Sequence, residues 1–268
     1  NFHYNDEGIY YLHRSQNGIE KTKKKIQSFN NLIDQYSILD KESLIEKDSF
    51  FNDKPFSGAF IYNNDGSGDC NSYTIQLENI CKQLGVKFIY NSEITDFKIN
   101  KNEIEHIYLN NKIVKSDKFI LAFGPFTVKV QKQLKLNIPI YPVKGYSLTI
   151  PIINNKNLPK LSGIDEENFL AFSKFGNKMR ITSRAEFNSF DSKINLKTVK
   201  DLILLTKNIF KDSLDYDSAK PWIGFRAVTP KGTPYICKTK YKNLYLNTGH
   251  GHLGWTMASG SANIISDL

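Results

Sequence analysis

Cysteine is scarce in this sequence: Cys70, Cys81 and Cys237 are the only three among 268 residues. An odd count argues against a disulfide framework, and their spacing fits no metal site, so a reducing cytosol is the expected compartment. Long apolar runs are missing too. No stretch approaches the ~18 residues needed to span a bilayer, and none reads as a secretory leader. Gly-x-Ser-x-Gly and the Walker A pattern are absent, which excludes a nucleophile elbow and a P-loop. His250 and His252 stand two apart on a glycine-rich loop with no third ligand at suitable spacing, so no metal is expected. Acid is outnumbered by base, 27 Asp and Glu against 36 Lys and Arg, for a net charge of +9. That balance raises nucleic acid or an anionic membrane surface as partners. The basic residues are scattered, however, apart from residues 21–25. Those fall in a predicted exposed helix and read as a solvated face, so no nucleic-acid partner is expected.

What is present is a globular composition. Apolar residues make up 40% and aromatics 13%, and the length suffices for a large core in one or two domains. Residues 1–14 read as extended. Residues 18–36 read as a helix with Ile26, Phe29, Leu32, Ile33 and Tyr36 on one face. A weaker helix over 39–51 has Asp40 as its N-cap. Residues 56–63 read as a strand ending in a turn that carries Gly68 and Asp69. Residues 72–84 read as a strong helix stopped by Gly85, with Tyr73, Leu77, Ile80, Cys81 and Leu84 on its core face. A strand over 86–90 and an Asn-punctuated meander over 94–114 follow. Then comes the short apolar run 119–124, read as a buried parallel strand carrying Ala122 and Gly124. Residues 138–151, 169–175 and 178–187 read as strands, and 196–210 as a helix.

The most informative stretch is 247–262, Asn-Thr-Gly-His-Gly-His-Leu-Gly-Trp-Thr-Met-Ala-Ser-Gly-Ser-Ala. A strand precedes it and a helix beginning at Trp255 is expected after it. Gly249, Gly251 and Gly254 therefore sit where a strand turns into a helix. Glycine there permits a sharp turn and close approach of a flat ligand, and a helix N-terminus favours an anion. An ordinary glycine-rich turn fits the spacing equally well.

Four collinear stretches carry a resemblance. They are Gly68-Asp69-Cys70, residues 141–151 (Tyr-Pro-Val-Lys-Gly-Tyr-Ser-Leu-Thr-Ile-Pro), residues 222–234 (Trp-Ile-Gly-Phe-Arg-Ala-Val-Thr-Pro-Lys-Gly-Thr-Pro) and residues 249–256 (Gly-His-Gly-His-Leu-Gly-Trp-Thr). Together they resemble the D-amino-acid oxidase superfamily of FAD-dependent oxidoreductases, and within it the bacterial D-amino-acid dehydrogenases. The resemblance covers nearly the whole chain. It implies an α/β fold in which part of an FAD-binding flavoprotein domain is interleaved with an antiparallel-sheet substrate domain. The implied segments are 1–62 and 131–220 for the substrate domain, and 63–130 and 221–268 for the FAD domain.

The resemblance also implies roles. Gly68, Asp69, Ala122, Gly124, Lys144, Gly249, His250, Gly251, Gly254, Trp255 and Thr256 would lie at the FAD. Arg226, Tyr146, Phe172 and His252 would meet the substrate. Phe169 and Arg184 are weaker candidates. Arg226 would clamp the substrate carboxylate and set its Cα–H toward the flavin, because arginine's planar fork matches a carboxylate. Taken without the motif, Arg226 also reads as a structural arginine. Lys144 reads either as a cation beside the ring or as an exposed edge-strand lysine. The implied reaction is oxidation of a D-amino acid such as D-alanine to a 2-oxo acid and ammonia, with electrons passed to a membrane quinone or another acceptor. That acceptor would bring a cytoplasmic protein to the inner face of the membrane. Glycine or sarcosine oxidation is the near neighbour. Members of the superfamily open with a Gly-x-Gly-x-x-Gly unit, which this sequence lacks. The expectation is therefore a fragment, either inactive or one half of a split flavoprotein that needs an N-terminal FAD-binding polypeptide.

Overall fold

The computed structural model describes residues 2–29 and 36–268. It contains two compact units. The first comprises the chain up to Asn79, with Gly145–Ala185 and Ser192–Ile223; the second comprises Ile80–Lys144, Glu186–Asp191 and Gly224–Leu268.

In the first unit β1 (Ile9–His13) leads into α1 (Gln16–Gln27), where the Ser15 hydroxyl accepts from Gly18 N. The helix ends well short of the expected Tyr36. Tyr36 instead opens β2 (Tyr36–Asp40) and stacks on Tyr62 at 4.8 Å. Strand pairing thus outweighs the helical spacing of the apolar residues; Leu32 and Ile33 lie outside the described residues. Asp40 caps α2 (Lys41–Lys47) as expected, its carboxylate accepting from Ser43 N at 2.8 Å. The helix stops at Asp48, and the 3-10 turn Ser49–Phe51 buries Phe50 and Phe51. β3 (Gly58–Tyr62) follows and pairs antiparallel with both β1 and β2.

α3 (Cys70–Gln83) departs from expectation: none of its residues is buried. Ile75, Leu77, Ile80 and Leu84 are exposed and Cys81 is half-buried, so Cys81 is no core residue. The amphipathic spacing is real, but a helix buries a face only where another surface meets it. Residues 86–90 likewise join no sheet, although they are rich in β-formers. The meander is β4 (Ile94–Asn100), β5 (Glu103–Leu109) and β6 (Lys112–Val114). β7 (Phe119–Leu121) and the short α4 (Thr127–Val130) complete this part of the second unit.

β8 (Tyr141–Pro151) is buried along almost its whole length, as a central strand covered on both faces would be. β9 (Gly163–Asp165), β10 (Leu170–Phe175) and β11 (Lys178–Glu186) follow. The first unit's strand order is β8-β11-β10-β9-β1-β3-β2. α5 (Leu196–Phe210) buries Val199, Leu202, Ile209 and Phe210 at helical spacing, packed with Tyr10, Leu12, Leu148, Ile150, Phe172 and Ile181. Each such side chain contributes about 1.5–3 kcal/mol by burial.

β12 (Lys220–Val228) runs from the first unit into the second. There β13 (Tyr235–Lys238) pairs antiparallel with β14 (Leu244–Thr248), and β14 pairs parallel with β7. Leu121, Leu134, Ile138, Ala227, Leu244 and Leu246 form the second unit's core. The two-residue β15 (His250–Gly251) pairs with β12. α6 (Ala258–Ser266) starts later than expected, so Trp255 and Thr256 lie in the turn before it. Among the described residues no helix is long and apolar enough to cross a membrane.

Candidate functional site

The second unit's glycine loop is built at the carboxyl ends of two parallel neighbours, β7 and β14. In open α/β sheets ligands bind outside such strand ends. Gly124, three residues past β7, has φ +53°, and nothing lies within 4 Å of where a Cβ would stand. The hydroxyls of Thr127 and Thr248 both donate to its carbonyl oxygen, at 2.8 and 2.9 Å. This pins the end of β14 to the turn after β7. Neither threonine was singled out in the sequence, because only the fold brings them to one carbonyl.

Gly249 has φ +85°, and a Cβ there would meet Thr229 Cγ2 at 2.6 Å. Both the backbone angle and the contact exclude a side chain. Gly249→Ala is expected to destabilise the protein by about 1–2 kcal/mol, read as a lower urea midpoint; an unchanged midpoint would show that the turn relaxes freely. Gly251 has φ +59° and open space at its Cβ position. Two left-handed glycines facing open space at these strand ends suit a flat ring that must approach the backbone closely.

β15 fixes the loop to β12 through the pairs Ala227–Gly251 and Val228–His250. The His250 Nε2 lies 2.9 Å from the hydroxyl of buried Ser261 on α6. Burial lowers the pKa of His250, which favours a neutral ring holding loop to helix. Ser261 is thus a partner of the motif histidine.

Arg226 precedes Ala227 on β12. Ala227 enters the second unit's core, so the alternation of a strand turns Arg226 to the opposite face. Arg226 is partly buried, and burial lowers its pKa, yet a guanidinium stays charged at neutral pH.

Lys144 is only 1% exposed, which rules out the edge-strand reading. Its ammonium meets Glu186 at 3.1 Å and Asp191 at 3.2 Å. The segment holding those acids is further tied down by Ser189 N donating to the Tyr141 hydroxyl, and by Phe190 packing against Phe126 and Phe225. Nothing local in the sequence marks Glu186 and Asp191, since both lie more than forty residues from Lys144.

The other predicted residues fall as follows. Ala122, His252, Trp255 and Thr256 are exposed in the second unit, and Gly254 is half-buried. Gly68 and Asp69 are half-buried in the first. Asp69 caps α3, accepting from Asn71 N at 3.0 Å and Ser72 Oγ at 2.6 Å. Burial alone would raise its pKa, but these bonds hold it below the usual value. Tyr146 and Phe172 sit in the first unit's apolar core, the Tyr146 hydroxyl accepting from Asn195 N at 3.3 Å. Phe169 is exposed with φ +50°. Among the described residues no group of three His, Cys, Asp or Glu is placed to hold a metal ion.

The whole chain, residues 1–268, matches the DAO family of FAD-dependent oxidoreductases. The chain belongs to this family. It is 34% identical over 265 residues to a D-amino acid dehydrogenase of Vibrio atlanticus (strain LGP32), a match that takes in 98% of this chain and 63% of that protein. The chain thus spans under two-thirds of its relative's length. Among solved structures it is similar to glycine oxidase from Bacillus cereus ATCC 14579, with a TM-score of 0.87 at 20% identity, covering 100% of this chain and 74% of the oxidase. It is also similar to L-proline dehydrogenase from P. horikoshii, with a TM-score of 0.85 at 18% identity, covering 100% of this chain and 73% of the dehydrogenase. The mixed α/β fold expected from the sequence is the fold of these solved structures.

Proposed function

We propose that the protein takes part in FAD-dependent oxidation of D-amino acids to 2-oxo acids and ammonia. The observation that carries this reading is the direct pairing of β12, which bears Arg226, with the glycine loop at His250–Gly251. A carboxylate clamp and a cradle for a flat ring are thereby held on adjoining backbone. The dehydrogenase relative supports the substrate class.

Gly124, Gly249 and Gly251 would hold the flavin by close backbone approach. When bound, FAD supplies the two-electron acceptor. The chain's own part is positioning. Arg226 binds the substrate carboxylate through two parallel charge-assisted hydrogen bonds and fixes the direction in which the Cα–H points. The rigid Thr127–Gly124–Thr248 link keeps the cradle from shifting relative to that strand. The 2-oxo acid forms when water hydrolyses the released imino acid, a step that needs no protein acid or base.

The partner in this reading is a dinucleotide-binding unit, carried on the same or a separate polypeptide. It would cover the exposed apolar side chains Ile80, Leu84, Val86, Phe88, Ile89 and Tyr90 of the second unit. The final electron acceptor would be a membrane quinone.

The test is the visible spectrum of the purified protein with added FAD, followed by anaerobic D-alanine, D-leucine and glycine. A bound flavin band that bleaches with a D-amino acid is the expected result. A flavin bound but not reduced by any of the three would reject the substrate class. No bound flavin, even with a dinucleotide-binding unit co-expressed, would reject the oxidoreductase reading.

A further inference from the structure

Arg180 has few partners for its degree of burial. It lies on β11, where Met179, Ile181 and Ser183 are buried and the alternating Arg180 and Thr182 face the other way. Its Nη1 donates to the Thr149 hydroxyl on β8 at 2.6 Å, and its guanidinium carbon stands 5.5 Å from the centre of the Trp222 ring. Among the described residues no carboxylate forms an ion pair with it. The acid whose charge acts on it, Asp69, is committed to capping α3. Burial lowers the pKa of Arg180 all the same.

Three other buried or half-buried cations of this protein are matched by acids. Arg14 is met by the fully buried Asp165 at 2.7 Å, Lys144 by two acids, and Lys54 by Asp53 at 2.9 Å. Guanidinium carries five N–H donors, and Thr149 takes one. A half-desolvated cation gains when an anion takes the donors its protein partners leave. Trp222, 57% exposed, leaves an indole face open beside those donors. Arginine against an aromatic ring recognises a planar anion attached to an apolar body.

We propose that Arg180, Thr149 and Trp222 form a carboxylate-binding site in the first unit, which takes a small organic acid whose apolar part lies against the indole. A carboxylate fits better than phosphate, because the site has one cation, a neutral hydroxyl and an apolar wall. An amino acid and a 2-oxo acid both carry this group, and the shared chemistry is the planar carboxylate.

The test follows the Trp222 indole N–H resonance of the purified, 15N-tryptophan-labelled protein. Trp222→Phe assigns the signal and separates it from that of Trp255, the other tryptophan. D-leucine and 4-methyl-2-oxopentanoate are titrated, with D-leucine methyl ester and inorganic phosphate as controls. The expected result is a saturable shift of Trp222 with at least one acid, none with the ester, and affinity weakened about tenfold or more in Arg180→Met, as for loss of one charge-assisted hydrogen bond. The acid that shifts it identifies the source of the carboxylate. Thr149→Val should weaken the same titration and serves if Arg180→Met does not fold. No saturable shift, equal binding of the ester, preferential binding of phosphate, or unchanged affinity in the variants would overturn the proposal. Flavin reduction plays no part in this readout, so its failure is distinct from failure of the proposed reaction.

Discussion

Arg226→Met is expected to lower kcat/KM for a D-amino acid by about 100-fold. A hydrogen bond to a charged group is worth about 1.5–3 kcal/mol, and each 1.4 kcal/mol is a factor of ten. Partial burial of Arg226 places the loss toward the upper part of that range, because water competes less there. A clamp on the carboxylate acts far from the reacting carbon and binds ground and transition states alike. Most of the loss should therefore fall on KM. Some should fall on the rate of flavin reduction, because a substrate held by fewer bonds points its Cα–H less well. Arg226→Lys should restore the charge but not the planar fork, and recover only part of the activity. Anaerobic stopped-flow reduction across substrate concentrations separates the two effects. If Arg226→Met reduces its flavin with wild-type KM and rate, Arg226 does not hold the substrate.

Lys144→Met is expected to cost about 3 kcal/mol of stability, the largest loss we foresee from a single charged side chain. Removing one partner of a buried ion pair leaves an uncompensated charge, typically at a cost of about 3–5 kcal/mol. Here the cation is 1% exposed, while Glu186 and Asp191 keep 28% and 35% of their side-chain surface. Water can still reach the acids, which puts the value at the low end. The triple change Lys144→Met, Glu186→Gln and Asp191→Asn should recover much of the loss, because it removes the charges together. Urea unfolding of the three proteins (wild type, Lys144→Met and the triple variant) measures both quantities. A Lys144→Met midpoint equal to the wild type would show that the acids find other cations or water at no cost.

Much of the local structure was legible in the sequence. Asp40 capping α2, the strands on either side of residues 176–177, the meander of β4 to β6 and the span of α5 all follow from residues a few positions apart. The glycine loop after β14 was legible for the same reason, and the four motif stretches led to the right family. Where local signals competed, the sequence misled. Tyr36 fits a helical face, yet the neighbouring β3 draws it into a strand. Trp255 fits the start of a helix, yet the turn from Leu253 to Met257 delays that helix to Ala258.

The sequence by itself determined the periodicity of each element, its caps, the glycine positions and the motif order. These depend on bonds and sterics within one or two turns of chain. Only the tertiary structure decided which faces are covered and which charges are matched. It exposes the apolar side of α3, buries Lys144 between Glu186 and Asp191, brings Thr127 and Thr248 to one carbonyl, and sets Arg180 against Trp222 with no ion pair among the described residues. Burial and ion pairing depend on groups far apart in the chain, and no local pattern records which distant residue will arrive.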